Sequence, residues 1–167
     1  MSAPPAITIE PASPRDAGEI AALYLASRAE ALPYLRRVHS DDEVRGWIAH
    51  VRLATGETWV AREAERILGF LCLDGEELDQ LYLLPGQFRR GIGSLLLAKA
   101  RELSPKRLTL FTFQRNAAAR AFYERHGFRL VDLDDGERNE EGEPDALYEW
   151  RRSFSEEGLQ SGRPIPI

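Results

Sequence analysis

A glycine-rich loop beside two adjacent arginines carries the strongest chemical signal in the sequence. Residues 83–94 read Leu-Leu-Pro-Gly-Gln-Phe-Arg-Arg-Gly-Ile-Gly-Ser, between a strand-like run and a helical pattern. Gly91 and Gly93 remove side chains where the backbone must approach a ligand closely. Amides at a helix start favour an anion, and Arg89 and Arg90 add two positive charges there. We therefore expect a pyrophosphate-binding loop. Its expected contact residues are Arg89, Arg90, Gly91, Ile92, Gly93 and Ser94.

Other glycine-loop chemistries fit this segment less well. A P-loop needs a lysine before its Ser or Thr, whereas Ser94 follows Gly93 directly. A dinucleotide-binding fingerprint needs three glycines in an early βαβ unit, and neither feature is present. A plain helix start with two solvent-facing arginines stays open, because a Gly-x-Gly pair alone is a weak signal.

A second segment, residues 116–128, carries a tyrosine between two helix-boundary signals. It reads Asn-Ala-Ala-Ala-Arg-Ala-Phe-Tyr-Glu-Arg-His-Gly-Phe. Asn116 can cap the helix and still offer its amide to a ligand. The phenol of Tyr123 is both a hydrogen-bond donor and an acceptor, although a half-buried core tyrosine is an equally open interpretation. Gly127 ends the helix, and His126 complements its C-terminal dipole.

Composition restricts the class of protein. The chain has 167 residues, 43% hydrophobic and 29% charged, which fits one globular domain. Its 22 basic and 27 acidic residues give a net charge of −5, which argues against a nucleic-acid partner. The single Cys72 and three histidines argue against a disulfide framework or a zinc site, so no metal is expected. No apolar run approaches the ~20 residues of a membrane helix, and the N-terminus lacks a signal-peptide pattern. We expect a cytoplasmic protein without a membrane partner.

Hydrophobic periodicity predicts strands mixed with helices. The predicted strands are residues 6–10, 58–62, 66–73, 77–84, 107–113, 128–133 and 146–151. The predicted helices are residues 14–29, 41–56, 92–103 and 117–125. Hairpins combined with helical crossovers indicate an α+β domain over residues 6–152, with one sheet and helices on both faces in a three-layer α/β arrangement. Residues 153–167 are expected to form a loose tail.

The two segments together, in this order and spacing, resemble the GNAT superfamily of acetyl-CoA-dependent N-acetyltransferases. The family pattern is Gln/Arg-x-x-Gly-x-Gly/Ala, then Asn-x-x-Ala-x-x-Phe-Tyr-x-x-x-Gly-Phe. The matching residues are Gly91, Gly93, Asn116, Ala119, Phe122, Tyr123, Gly127 and Phe128. Phe88 departs from the first motif position, but the family loop binds pyrophosphate largely through backbone N–H groups, so we expect binding to survive. The resemblance implies a mixed, mostly antiparallel sheet of about seven strands.

The resemblance also implies direct attack of an amine on the thioester of acetyl-CoA in a ternary complex, without metal. Tyr123 matches the family tyrosine that protonates the leaving thiolate. Family members splay two central strands to admit the pantetheine arm, and a backbone N–H there binds the thioester oxygen. The cofactor contacts carried over are Leu81, Tyr82, Leu83 and Asn116, with Leu81 and Leu83 acting through their backbone.

The general base has two candidates. Glu77 and Asp79 are two residues apart on one strand, so they share a face. Two close carboxylates can raise one pKa toward neutrality. A water chain, with both carboxylates as ordinary surface acids, remains equally open. Another family base position falls on Phe111, which cannot serve.

The acceptor side is less specific. Residues 139–145 form an acidic loop that could attract a cationic amine, or only a solvated hairpin loop. Tyr34, His39 and Trp47 could line a pocket, although Trp47 fits the core better and His39 the surface. The alternative function is a non-catalytic acyl-CoA-binding module, and a longer acyl donor is also open. The resemblance further implies a homodimer paired through the last strands.

Overall fold

A computed structural model describes residues 2–55 and 57–152 of the chain. These residues form a seven-stranded sheet in the order β1-β2-β3-β4-β5-β7-β6. The strands are β1 Ile7–Pro11, β2 Glu57–Glu63, β3 Arg66–Asp74, β4 Glu77–Leu83, β5 Arg107–Phe113, β6 Arg129–Asp134 and β7 Asp145–Arg151. The helices are α1 Ala17–Ala31, α2 Asp41–Trp47, α3 Leu53–Thr55, α4 Ile92–Leu103 and α5 Ala117–Arg125. The predicted α+β class with a mixed, mostly antiparallel sheet is confirmed.

Side-chain caps explain where the first helices begin. Ser13 and Asp16 form a capping box around the short 3-10 turn Pro14–Asp16, which leads into α1. Ser40 accepts from the amide of Glu43 at 3.1 Å, and the Glu43 carboxylate accepts from the Ser40 amide at 2.7 Å. Both helix starts therefore lie where the sequence predicts them.

The second predicted helix differs from the expectation in its middle. A π-helical turn, Ile48–Arg52, separates α2 from α3. Such turns are rare and often lie at functional sites. The predicted end at Gly56 and the predicted tail at residues 153–167 lie outside the described residues.

Two hydrophobic clusters cover the two faces of the sheet. One lies under α4 and α5 and contains Leu71, Leu96, Leu97, Leu108 and Tyr148, among other buried residues. The other lies under α1 and α2 and contains Ile20, Leu23, Ile48, Val60 and Phe70. The sheet is thus the middle of three layers. No helix in the described part of the chain is long and apolar enough to cross a membrane.

The centre of the sheet opens between β4 and β5. These two strands are parallel and share a single paired position, Glu77 with Thr109. One further bond joins them, from the Thr109 amide to the Glu76 carbonyl at 2.9 Å. Beyond this point the strands diverge, whereas β3 continues to pair with β4 as far as Leu83. The expected splay of two central strands is present.

Candidate active site

The open edge of β4 presents two backbone amides to the gap. Leu84 donates to the Leu68 carbonyl of β3 at 2.8 Å, so this pair is hydrogen-bonded. Hydrogen-bonded and non-hydrogen-bonded pairs alternate along an antiparallel ladder. Tyr82 therefore bonds to β3, whereas the N–H groups of Leu81 and Leu83 point away from β3 toward β5. The geometry distinguishes these three predicted contacts: two have amides facing the gap, and Tyr82 does not.

A β-bulge changes which side chains of β4 share a face. Cys72 pairs with Gln80 but Leu73 pairs with Leu78, so Asp79 is an extra residue in β4. As a result Leu78, Leu81 and Leu83 all pack in or against the α4 cluster. Tyr82 packs against the α1 cluster instead. Without the bulge, strict alternation along β4 would place the side chain of Leu81, and not that of Tyr82, on the same face as Glu77 and Asp79.

Tyr123 lies in α5 and is 8% exposed. Its ring packs edge-on against Phe122 and Phe128, with centroid distances of 5.2 and 5.5 Å. Burial, together with the neighbouring Tyr82, raises the pKa of the Tyr123 phenol above its ordinary value. The phenol therefore stays protonated across the neutral range, which suits a proton donor and not a base.

The two candidate bases have different surroundings. Burial first, and then the carboxylates of Asp79 and Asp74, raise the pKa of the half-buried Glu77. Asp79 is paired: its Oδ2 lies 3.1 Å from Arg52 Nε and accepts from Gln80 Nε2 at 3.1 Å. Arg52 comes from the π-helical turn and stacks on the Trp47 ring at 5.1 Å. Asp79 is thus held in an ion pair with Arg52, whereas Glu77 is the carboxylate whose pKa is raised.

The glycine loop has part of the geometry that an anion-binding helix start requires. Gly91 caps α4 with φ of +77°, and a Cβ there would meet nothing within 4 Å. Gly93 has another role, because a Cβ would lie 3.2 Å from the Phe122 ring. This glycine allows α4 and α5 to approach each other closely. Ile92 is 1% exposed, so only its backbone can contact a ligand.

The two loop arginines are not equivalent. Arg90 binds Glu63 at 2.7 Å and Gln87 at 2.7 Å, which ties the loop to the end of β2. Arg89 is exposed, has φ of +67°, and within the described residues makes no side-chain hydrogen bond or ion pair. Arg89 is therefore the loop cation that is free to bind an anion.

Asn116 caps α5 as predicted, with its Oδ1 accepting from the Ala119 amide at 3.2 Å. His126 is the C-cap of the same helix, also as predicted. Its ring has an additional contact that sequence analysis missed, because Nε2 lies 3.0 Å from Ser94 Oγ in α4. The two residues are 32 positions apart, and no local pattern signals such a pair.

The acidic loop between β6 and β7 is paired with basic residues from other parts of the chain. Glu141 binds Arg28 at 2.8 Å, and Arg28 also donates to the Tyr82 hydroxyl at 3.2 Å. Glu140 lies 2.6 Å from His39 Nε2. Glu141 and Glu140 thus already have partners from α1 and from the segment before α2, although the Glu140 side chain is 65% exposed. Attraction of a cationic amine by this loop stays a prediction.

A cavity of about 360 Å³ opens beside these ion pairs. Tyr24, Arg28 and Glu141 line it together with residues of the segment that joins α1 to α2. The Tyr24 ring lies 5.1 Å from the Tyr82 ring, so the cavity wall continues toward β4. Tyr34 lies under Arg115, whose guanidinium is 3.8 Å from the ring centroid.

Cys72 and possible metal ligands are two further features that could have offered nucleophilic or metal chemistry. Cys72 is buried, and burial raises the pKa of its thiol, which does not favour a nucleophile. Among the described residues, no group of three or more His, Cys, Asp or Glu side chains could hold a metal ion.

Comparison with known proteins finds a family similarity in the central part of the chain. Residues 54–130, from α3 to the start of β6, match the model of the acetyltransferase (GNAT) domain. This central segment of the chain is therefore similar to GNAT acetyltransferase domains. The match covers the gap, the glycine loop and Tyr123, so it includes every predicted catalytic and cofactor-binding residue of the chain.

Curated relatives match the central part of the chain. YiaC, a peptidyl-lysine N-acetyltransferase of Escherichia coli (strain K12), is 36% identical over 81 residues, which are 48% of this chain and 55% of YiaC. YjaB, a peptidyl-lysine N-acetyltransferase of the same strain, is 30% identical over 96 residues, 57% of this chain and 61% of YjaB. The matched segments thus span little more than half the length of these relatives.

Solved structures match nearly the whole described chain. The apo form of YjaB from Escherichia coli has a TM-score of 0.72 at 23% identity, covering 87% of this chain and 97% of that one. The PaiA N-acetyltransferase from Thermoplasma acidophilum, solved in complex with coenzyme A, has a TM-score of 0.68 at 20% identity, covering 87% and 99%. At these identities the likeness shows the GNAT fold.

Proposed function

We propose that this protein is an N-acetyltransferase that transfers an acetyl group from acetyl-CoA to a primary amine in a ternary complex. The observation that carries the proposal is the gap between β4 and β5, where a single paired position leaves the edge of β4 open. Acetyl-CoA would supply the activated acetyl thioester. The curated N-acetyltransferase relatives support the same activity.

Residues of this chain fit each part of acetyl-CoA. The amides of Leu81 and Leu83 would bind the pantetheine arm and the thioester oxygen as an added strand would. Arg89 and the free amides of the first turn of α4 would bind the pyrophosphate. The open space at the Gly91 Cβ position fits such a ligand.

Tyr123 would donate a proton to the leaving thiolate. A simple thiol has a pKa of about 8.5, so a thiolate leaving group gains from a nearby acid at neutral pH. The raised pKa of Tyr123 keeps its proton available. The position of Tyr123 beside Phe122, which packs against Gly93, fixes the phenol relative to the start of α4.

Glu77 would accept the proton of the attacking amine, directly or through water. A lysine-type ammonium has a pKa of about 10.4, so the amine must be deprotonated before it attacks. A carboxylate with a raised pKa is a better base for this step than an ion-paired one. Asp79 and Arg52 would then act on Glu77 through their charges.

We propose a lysine side chain of a peptide as the first acceptor class to test, because the curated relatives carry that activity in their names. Small primary amines remain the other acceptor class. The exposed apolar side chains Leu130, Val131 and Leu133 on the edge strand β6 support a homodimer paired through the last strands.

The test measures acetyl-CoA-dependent thiol release with a panel of lysine peptides and small amines, for wild type and Tyr123→Phe. Amine-dependent release that falls at least about 100-fold in the variant is the expected result. Thermal stabilisation by acetyl-CoA serves as the control that the variant still folds and binds. Stabilisation without release for any amine would instead indicate a non-catalytic acyl-CoA-binding module.

A further inference from the structure

Ser94 and His126 form a polar side-chain pair at the expected anion site. Ser94 is the third residue of α4, is exposed, and lies with its Oγ 3.0 Å from His126 Nε2. The first backbone bond within α4 runs from Leu95 to Gly91, so the Ser94 amide has no partner inside the helix. A ligand anion at this helix start would therefore meet the Ser94 hydroxyl as well as its amide.

The hydrogen-bond geometry fixes the protonation of the neutral imidazole. His126 Nδ1 lies 2.8 Å from the Phe122 carbonyl oxygen, which can only accept. Nδ1 therefore carries the proton, and Nε2 presents a lone pair. Because of this, the Ser94 hydroxyl donates its one proton to Nε2 and presents only lone pairs to an approaching anion.

Several contacts hold the His126 backbone and ring in place. The His126 amide donates to the carbonyls of Phe122 and Tyr123 at 3.2 and 3.1 Å, and Arg101 donates to the His126 carbonyl. The ring also packs on Phe122 with a centroid distance of 4.3 Å. With the ring held there, protonation of Nε2 is the change that keeps the Ser94–His126 contact and frees the Ser94 proton for an anion.

We propose that His126 takes up a proton when the pyrophosphate of acetyl-CoA binds, and so converts Ser94 into a hydrogen-bond donor toward the phosphate. The inference rests on the proposed function, because it concerns the same cofactor. One proton from solvent adds to the Nε2 lone pair, and the new N–H donates to Ser94 Oγ. The Ser94 hydroxyl keeps its own proton and reorients it toward a phosphate oxygen, so no covalent bond forms or breaks.

The charges around His126 make this uptake depend on the ligand. Arg101 from α4, which donates to the His126 carbonyl, opposes a second positive charge there, and Arg125 is the adjacent residue in the chain. The carboxylate of Glu124 accepts from the Tyr148 hydroxyl at 2.6 Å, and the C-terminal carbonyls of α5 favour a cation. A bound pyrophosphate adds the negative charge that stabilises the imidazolium. The extra affinity that protonation provides should therefore decrease as pH rises.

The experiment measures the binding of dephospho-coenzyme A by titration calorimetry between about pH 5.5 and 7.5, in buffers of different ionisation enthalpy. This probe keeps the pyrophosphate but lacks the 3′-phosphate, whose own ionisation near pH 6 would obscure the result. We expect the wild-type dissociation constant to rise about 5- to 10-fold over this range, with uptake of part of a proton on binding.

Three variants separate the proton uptake from packing. His126→Asn and Ser94→Ala should bind with a nearly constant affinity across the range, whereas Ser94→Thr keeps the hydroxyl and should retain the wild-type slope. Ser94→Ala leaves the His126 cap of α5 intact, so it tests the inference even if His126→Asn fails to fold. Binding with the same pH slope in wild type and Ser94→Ala would overturn the inference and leave the proposed function standing. No binding of dephospho-coenzyme A or acetyl-CoA by wild type at any pH would overturn both.

Discussion

The proposed cofactor side and the proposed acceptor side of this site are built in opposite ways. On the cofactor side, the groups available for binding are backbone amides, such as those of Leu81 and Leu83, at an open strand edge and at a helix start. On the acceptor side, charged side chains from distant segments bind one another, as Glu141 binds Arg28 and Glu140 binds His39. One side is held ready for a ligand by the fold itself, and the other is occupied by internal ion pairs.

The difference explains why the two sides carry different kinds of specificity. Backbone amides donate to any ligand that has carbonyl and phosphate oxygens at the right spacing, so binding at the proposed cofactor side depends little on side-chain identity. Side-chain pairs can be exchanged without changing the fold, so they can adapt to different acceptors. The candidate general base, Glu77, lies on β4 between the two sides. A substitution there tests how far one side depends on the other.

The largest effect is expected from Glu77→Gln. Loss of the base should lower kcat by about 100-fold at neutral pH, because the amide cannot accept the amine proton. The dissociation constant of acetyl-CoA should stay within about twofold, since the cofactor contacts are elsewhere on β4 and α4. In wild type, kcat/KM should rise with pH through the pKa of Glu77, which burial and Asp79 hold above the ordinary range. Steady-state kinetics against pH, with calorimetry for acetyl-CoA, measures both.

The matched control for that variant is Asp79→Asn. This change removes a negative charge and leaves Arg52 without its carboxylate partner, and both effects lower the pKa of Glu77. The acidic limb of the profile should therefore move down by roughly 0.5 to 1 pH unit while the plateau stays high. If Asp79→Asn abolished turnover and Glu77→Gln did not, the two roles would be reversed.

A smaller effect is expected from Glu141→Gln on the acceptor side. The Arg28–Glu141 pair is largely buried, with 21% and 17% of the side chains exposed, and it fixes Arg28 against Tyr82. Loosening it should raise the acceptor KM about 3- to 10-fold and leave acetyl-CoA binding unchanged. Steady-state kinetics with the best amine of the panel measures this.

Glu140→Gln is the control, because the His39–Glu140 pair is exposed and should change the acceptor KM less than about twofold. Equal effects of the two variants would contradict a special role for the Arg28–Glu141 pair. An effect of either variant on the acetyl-CoA affinity would contradict the functional separation of the proposed cofactor side from the proposed acceptor side.

The elements that the sequence predicts correctly are those with local signals. Helix α4, strand β5 and helix α5 begin and end where their caps, glycines and periodicity predict, because those signals lie within a few residues. Arg89 and Tyr123 stay predicted site residues, taken from the motifs in and just before the same stretch. The bulge at Asp79 could not be predicted, because nothing in Leu78-Asp79-Gln80 marks an extra residue in a strand.

Contacts between distant segments account for the rest. Arg28 and Glu141 are 113 positions apart, and Ser94 and His126 are 32 apart. Each of these residues alone resembles an ordinary surface residue, and only the packed sheet brings the partners together. Arg52 reaches Asp79 from a π-helical turn, which helical periodicity does not distinguish from a regular helix.

We propose that the open edge of β4 binds acetyl-CoA through the amides of Leu81 and Leu83. Residue-resolved amide hydrogen exchange by NMR, with and without saturating acetyl-CoA, measures this binding at each amide. We expect exchange at Leu81 and Leu83 to slow on binding, while exchange at Tyr82, whose amide already bonds to β3, changes little. If both leucine amides exchanged at saturating acetyl-CoA as they do in the free protein, the open edge would not be the binding site.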